Sequence, residues 1–172
     1  MYNQIAEKTG MSPEDVSSIG GLESQHGKYE QNMAGSSAKG IMQVMPRLAK
    51  TLRPESQKTL NDYNTQAELA SDIINLNAPT IKQIKLNSEL LDNYVMYNLG
   101  KGRGKKFLQA TDETPIEQVL PENIIRMNPK LYKHKTVGDA KKAIRMNLDQ
   151  AKSQEFYPKI EDLYTDTEDE KE

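Results

Sequence analysis

Ser12-Pro13-Glu14-Asp15-Val16-Ser17-Ser18-Ile19-Gly20-Gly21-Leu22-Glu23-Ser24 is the stretch on which the reading of the fold turns. Ser12 is a good N-cap, Pro13 suits the first helical position and Asp15 falls at the third, so a helix is predicted from Pro13 to about Gln25. Along it Val16, Ile19, Gly20 and Glu23 follow the i, i+3, i+4, i+7 spacing of a single face. Glu23 therefore projects from the end of the core-facing stripe, where a carboxylate is partly buried.

Outward from this helix the pattern stays helical. The opening residues read as a short helix stopped by Gly10. Residues 27–40 are rich in Gly, Ser and Asn, which favours an irregular loop or a small β-hairpin beside Glu23. Pro46 then opens a helix through Leu52. From Thr65 to Leu99 apolar residues recur at helical spacing (Leu69, Ile73, Ile74, Leu76, Ile81, Ile84, Leu90, Leu91, Tyr94, Val95), with a break expected at Pro79. The glycine-rich run Gly100-Lys101-Gly102-Arg103-Gly104 is expected to be a loop. Further helices are expected over 105–110, 116–127 and 136–154. The fold class is mainly α.

Composition narrows the chemistry. The 172 residues suit one domain. With two Phe, eight Tyr and no Trp, the core must come largely from Leu, Ile, Met, Val and Ala. The absence of cysteine excludes disulfides, thiolate metal sites and cysteine nucleophiles. Net charge is -2, but residues 165–172 carry five acids against one Lys, which leaves the rest of the chain slightly basic. That acidic run is read as a disordered tail. The N-terminus shows no signal peptide, and no window approaches the length of a membrane span.

Three short segments stand out: Gly21-Leu22-Glu23-Ser24, Gly40-Ile41-Met42-Gln43-Val44-Met45-Pro46 and Tyr97-Asn98-Leu99-Gly100-Lys101-Gly102. Their order and spacing resemble the soluble lytic transglycosylase (SLT) family. In that family a Glu-Ser pair ends a helix, Gly-Leu-Met-Gln follows about twenty residues later, and Ala-Tyr-Asn-Ala-Gly-x-Gly comes further on. Here Ile41 replaces Leu in the second segment, and Met96 and Leu99 replace the two Ala of the third. The resemblance implies a lysozyme-like single domain over 1–164, with core motifs at 19–104 and a helical extension at 105–164. Beyond the core, Asn128-Pro129-Lys130-Leu131-Tyr132 and Thr136-Val137-Gly138 look like the transglycosylase domains of virion proteins of short-tailed phages.

The chemistry can be argued from the residues first. Breaking a glycosidic bond needs a proton donor at the leaving oxygen, and a glutamic acid whose pKa is raised by a partly apolar setting can supply it. A hydrolase normally adds a second carboxylate, and none lies in the three segments. One carboxylate suffices when the attacking hydroxyl belongs to the substrate. The resemblance supplies that reaction. The muramoyl 6-hydroxyl attacks its own anomeric carbon to leave a 1,6-anhydro end, with Glu23 as acid and then base.

The resemblance also implies that Ser24 hydrogen-bonds near the leaving group and that Tyr97 orients the Glu23 carboxyl. Gln43 and Asn98 would hydrogen-bond the sugar, Met42 would line the groove, and Gly40, Gly100 and Gly102 would allow backbone shapes a side chain would obstruct. The plain alternatives are a turn entering a buried element for Gly40 to Gln43, and core positions for Met42 and Tyr97.

Tyr29, Tyr63 or Tyr132 could replace the missing Trp as a sugar platform. His26 reads as a polar residue at a helix end, since His134 is the only other histidine and no metal-ligand set exists. The basic residues Lys101, Arg103, Lys105 and Lys106, and those from Lys130 to Arg145, suit a solvated face or an anionic wall polymer. No nucleic acid and no cofactor are expected. The partner is the peptidoglycan glycan strand, with other phage virion proteins as further candidates. The expected location is a phage virion acting on the host periplasm and wall. A goose-type muramidase, an endolysin, a phage structural or adaptor protein on the same fold, and a non-catalytic wall-binding module are the rival readings.

Overall fold

A computed structural model describes residues 1–31 and 36–152. The acidic run at 165–172 lies outside them. The chain is mainly helical, as expected. Its elements are α1 (Tyr2–Thr9), α2 (Pro13–Ser24), α3 (Pro46–Leu52), a 3-10 turn (Pro54–Lys58), α4 (Tyr63–Ile84), α5 (Leu90–Leu99), α6 (Lys101–Gln109), a second 3-10 turn (Ile116–Gln118), α7 (Glu122–Met127), α8 (Pro129–Tyr132) and α9 (Val137–Lys152). Extended pairing among the described residues is confined to isolated antiparallel bridges, Gln31 with Lys39, Lys39 with Val44, and Pro115 with Thr136. The described residues fall into two compact units. One holds 1–31, 37–72 and 150–152, and the other holds 36 and 73–149.

The first unit is started by local signals that behave as read. Gly10 ends α1 in the left-handed region (φ 75°), and its N–H closes on the Ala6 carbonyl at 2.8 Å. Ser12 caps α2 by accepting the Asp15 N–H at 3.1 Å. Val16, Ile19, Gly20 and Gly21 are buried while Glu23 is half-buried. The two glycines serve proximity. A Cβ on Gly20 would collide with the ring and hydroxyl of Tyr2, and one on Gly21 would stand 2.8 Å from both His26 Nε2 and the Ala151 side chain.

His26 is fully buried, not merely polar at a helix end. Its Nε2 lies 2.9 Å from the Ala151 carbonyl, which can only accept, so Nε2 carries the hydrogen. Nδ1 is then the acceptor, and the Tyr2 hydroxyl donates to it at 2.7 Å. The neutral ring thus satisfies both nitrogens and joins α1, the end of α2 and the end of α9.

The second unit departs from the sequence reading at several points. Helix α4 runs on through Pro79. Pro79 is exposed, and Asn75, whose carbonyl a proline at 79 does not serve, is exposed as well, so the lost bond falls on the solvent side. Residues Ile74, Asn77, Thr80 and Ile81 on the opposite side are buried and hold the helix across the site. Gly100 alone breaks the chain at 100–104: its φ of 79° and ψ of 168° lie in a region essentially restricted to glycine. Gly102 and Gly104 lie inside α6. A Cβ on Gly104 would come within 2.8 Å of Met96 Sδ and 3.1 Å of Met96 Cα, so this glycine lets α5 and α6 approach closely. The helix expected over 116–127 is a 3-10 turn followed by α7, separated by Pro121, which has no N–H to donate and caps α7 instead.

Two outcomes follow for stability. Gly20→Ala drives a methyl into the Tyr2 ring and should cost about 1–3 kcal/mol, read as a lowered midpoint in urea. Burial lowers the pKa of His26 against the weaker opposing effect of its bond to Ala151. The unfolded chain then binds more protons than the folded one once pH falls below about 6.5. The contribution of neutral His26 is complete above that pH and is lost as pH falls towards the lower folded value, with a slope of at most about 1.4 kcal/mol per pH unit. Urea unfolding from pH 7.5 to 5 should show this slope in the wild type. His26→Gln should be less stable at pH 7.5 and flatter below; an equally steep profile in the variant would refute the assignment.

Candidate active site

Glu23 stands in the last turn of α2, one residue before the helix ends. After it the chain hooks sharply, since Gln25 (φ 51°), His26 (φ 55°) and Gly27 (φ 92°) are all left-handed. Such a run in non-glycine residues persists only where surrounding bonds over-determine it. Here the Gln25 N–H closes on the Gly21 carbonyl at 2.9 Å and His26 is clamped from both ring nitrogens.

Ser24 completes the hook. Its hydroxyl, buried, donates to the Ile41 carbonyl at 2.6 Å and accepts the Gly27 N–H at 2.9 Å. These bonds tie α2 to the Gly40–Gln43 segment at the residue that follows Glu23.

Residues 39–44 form a closed turn. Lys39 and Val44 exchange backbone bonds of 3.0 and 2.9 Å, and the Gln43 N–H reaches the Gly40 carbonyl at 3.1 Å. Gly40 (φ 76°) is required twice over, because a Cβ there would also collide with the Gln66 amide. That amide has work of its own: its oxygen accepts the Met42 N–H at 3.0 Å and its nitrogen donates to the Leu60 carbonyl. Gln43 is only 7% exposed, and its amide nitrogen donates to the carbonyls of Glu30 (2.9 Å) and Gly40 (2.8 Å). Met42 is fully buried and packs in the core, the plain alternative to a place in a groove.

The first unit thus brings Ser24, Gly40, Met42 and Gln43 into one hydrogen-bonded frame, with Glu23 next to Ser24 in the chain. Glu23 is the member whose side chain reaches the surface as an acid. Three other acids of this unit are held in ion pairs: Asp72 and Glu68 pair with Arg53 at 2.6 and 3.1 Å, and Asp15 pairs with Lys152 at 3.4 Å.

The second unit carries Tyr97 and Asn98, both half-buried near the end of α5. The Tyr132 hydroxyl donates to Asn98 Oδ1 at 2.7 Å, which directs the Asn98 amide nitrogen away from that bond. Tyr132 is fully buried, with its ring edge-on to Phe107, so it supports Asn98 and is removed from the candidate sugar platforms. Tyr29 and Tyr63, each 39% exposed, keep the surface such a platform needs. Gly100 has the backbone shape expected of it, whereas Gly102 is helical and its missing side chain would meet nothing.

Four supports carry no local signal in the sequence: Tyr2, Gln66, the buried His26 and Tyr132 all depend on partners far along the chain. Among the described residues no group of three or more His, Cys, Asp or Glu could hold a metal ion, and no helix is long and apolar enough to cross a membrane.

Comparison with known proteins agrees with the motifs. No curated protein matches the chain. The transglycosylase SLT domain family matches residues 1–120, a span that contains all three segments and extends beyond the 19–104 over which they are legible. The mainly helical architecture is consistent with the lysozyme-like SLT fold, and peptidoglycan is the substrate that the family implies. With a match over more than half of its length, the chain belongs to the SLT family of peptidoglycan lytic transglycosylases.

Proposed function

We propose that the protein cleaves the β-1,4 bond between N-acetylmuramic acid and N-acetylglucosamine in peptidoglycan and leaves 1,6-anhydro-N-acetylmuramic acid ends. The observation that carries this is the half-buried carboxyl group of Glu23, held at the end of α2 beside a frame in which Ser24 and Gln43 are bonded to backbone. Protonated Glu23 gives its proton to the glycosidic oxygen as the bond to the anomeric carbon breaks. The muramoyl 6-hydroxyl oxygen then bonds to that carbon and releases its proton to the Glu23 carboxylate, which restores the acid. No water enters and none is needed, because the nucleophile is already part of the substrate.

In this proposal Ser24, Gly40, Met42 and Gln43 fix where the carboxyl group sits, and sugar contact falls to Tyr97 and Asn98. The amide nitrogen of Asn98, oriented by the Tyr132 hydroxyl, suits an acceptor on the N-acetyl group. The proposal also places the enzyme in a phage virion, opening the host wall during genome ejection. That part rests on the resemblance of residues 128–138 to the virion transglycosylases of short-tailed phages.

Digestion of purified peptidoglycan by the wild type and by Glu23→Gln, with mass spectrometry of the released muropeptides, tests the reaction. Products ending in the anhydro sugar are expected, with the rate in the variant lower by roughly 10²–10⁴-fold. Reducing ends would assign a hydrolase, and a folded wild type that releases nothing would favour the structural adaptor.

A further inference from the structure

The family reaction leaves the outer face of α6 without a use. Gly104 and Phe107 are buried and Leu108 is half-buried, so this side of the helix faces the second unit. At 100° per residue Gly102 lies opposite that stripe, with Lys101 and Lys105 on one flank and Arg103 and Lys106 on the other. All four cations are exposed, and none of them forms an ion pair or side-chain hydrogen bond with a described residue. No Asp or Glu occurs anywhere from 93 to 111. Lys101 and Arg103 also stand in the first helical turn, where cations oppose the helix dipole.

Gly102 is the second, independent observation. A glycine inside a helix weakens it, and is retained where backbone must turn unusually or approach something closely. Gly102 has no left-handed φ, and a Cβ there would meet no atom within 4 Å. Among the described residues nothing fills the space above this glycine, so the backbone there is open to close approach from outside.

Resting on the transglycosylase reading, we propose that the exposed face of α6 binds the carboxylate-bearing stem peptide of the glycan strand, its backbone lying across Gly102 and its carboxylates paired with Lys101, Arg103, Lys105 and Lys106. Charge complementarity selects the ligand, and continuity selects its source. Lys101 follows Asn98 by three residues, across the break at Gly100, and the stem peptide grows from the same muramoyl sugars that Asn98 is proposed to engage. A nucleic acid strand fits less well, because the one aromatic residue of α6, Phe107, is buried and gives bases nothing to stack on.

The test compares intact strands with strands stripped of stem peptides by an amidase. The wild type should cleave the intact strands roughly tenfold faster at low salt, and the preference should shrink as ionic strength rises. The fourfold variant Lys101→Gln, Arg103→Gln, Lys105→Gln, Lys106→Gln should lose the preference while keeping the rate on stripped strands. Gly102→Gln should lose it too, yet melt about 2–4 °C higher because the helix gains a better former. Equal wild-type rates on both strands, or a preference unchanged in both variants, would overturn the proposal.

Binding of Glu23→Gln to the two strand types, followed by co-sedimentation, keeps the question separate from catalysis. If no strand is cleaved by the wild type but stem-dependent binding persists, the reaction is wrong and the docking face stands. If binding ignores the stems, the docking face falls. Loss of duplex DNA binding in the fourfold variant, with stem-dependent binding unchanged, would reassign the face to nucleic acid and overturn the proposal.

Discussion

The bond from the Ser24 hydroxyl to the Ile41 carbonyl is the constraint on which the rest of the frame around Glu23 depends. Both groups are buried, so an Ile41 carbonyl left without a donor would cost about 1–3 kcal/mol. The bond also makes the residue after Glu23 the anchor of a turn 17 positions further along the chain. Position in sequence thereby becomes position in space, with Glu23 fixed by its immediate neighbour.

The same device is repeated around it. In a sheet, backbone groups satisfy one another along a ladder, but here the described pairing stops at isolated bridges. Buried backbone still requires partners, and Gln43, Gln66 and His26 supply them to Glu30, Gly40, Met42, Leu60 and Ala151. Side-chain amides and one imidazole thus hold irregular chain as rigidly as a strand would. They leave the Glu23 carboxyl group half-buried beside a support held by these bonds.

What the sequence disclosed and what it concealed divide along a physical line. Ser12, Pro13, Gly10 and Pro46 act through bonds within one turn of themselves, and α1, α2 and α3 begin or end where those residues indicate. The half-burial of Glu23 follows from helical spacing alone. Pro79, Gly102 and Gly104 misled because their local preference is to interrupt a helix, while burial on the far side of α4 and the contact of Gly104 with Met96 decide the outcome. Glycine is especially ambiguous in a lone sequence, since Gly100 is needed for its dihedral angles and Gly104 for its lack of bulk. Residues whose value lies in a distant partner were hidden for the same reason. Tyr132 resembled a surface platform until Asn98 was seen beside its hydroxyl, and nothing near Gln66 marks it as the neighbour of Gly40.

The closed base of the segment after Glu23 carries one further implication, for evolutionary change. Ser24 with Ile41, Glu30 with Gly40, and Gln31 with Lys39 join the two ends of this segment before its middle is reached. Lengthening a loop whose ends are already fixed is cheap, about 0.6 kcal/mol for each doubling. Insertion between the two ends is therefore compatible with the bonds at its base, so descendants of this protein can gain new surface there without rebuilding the frame around Glu23.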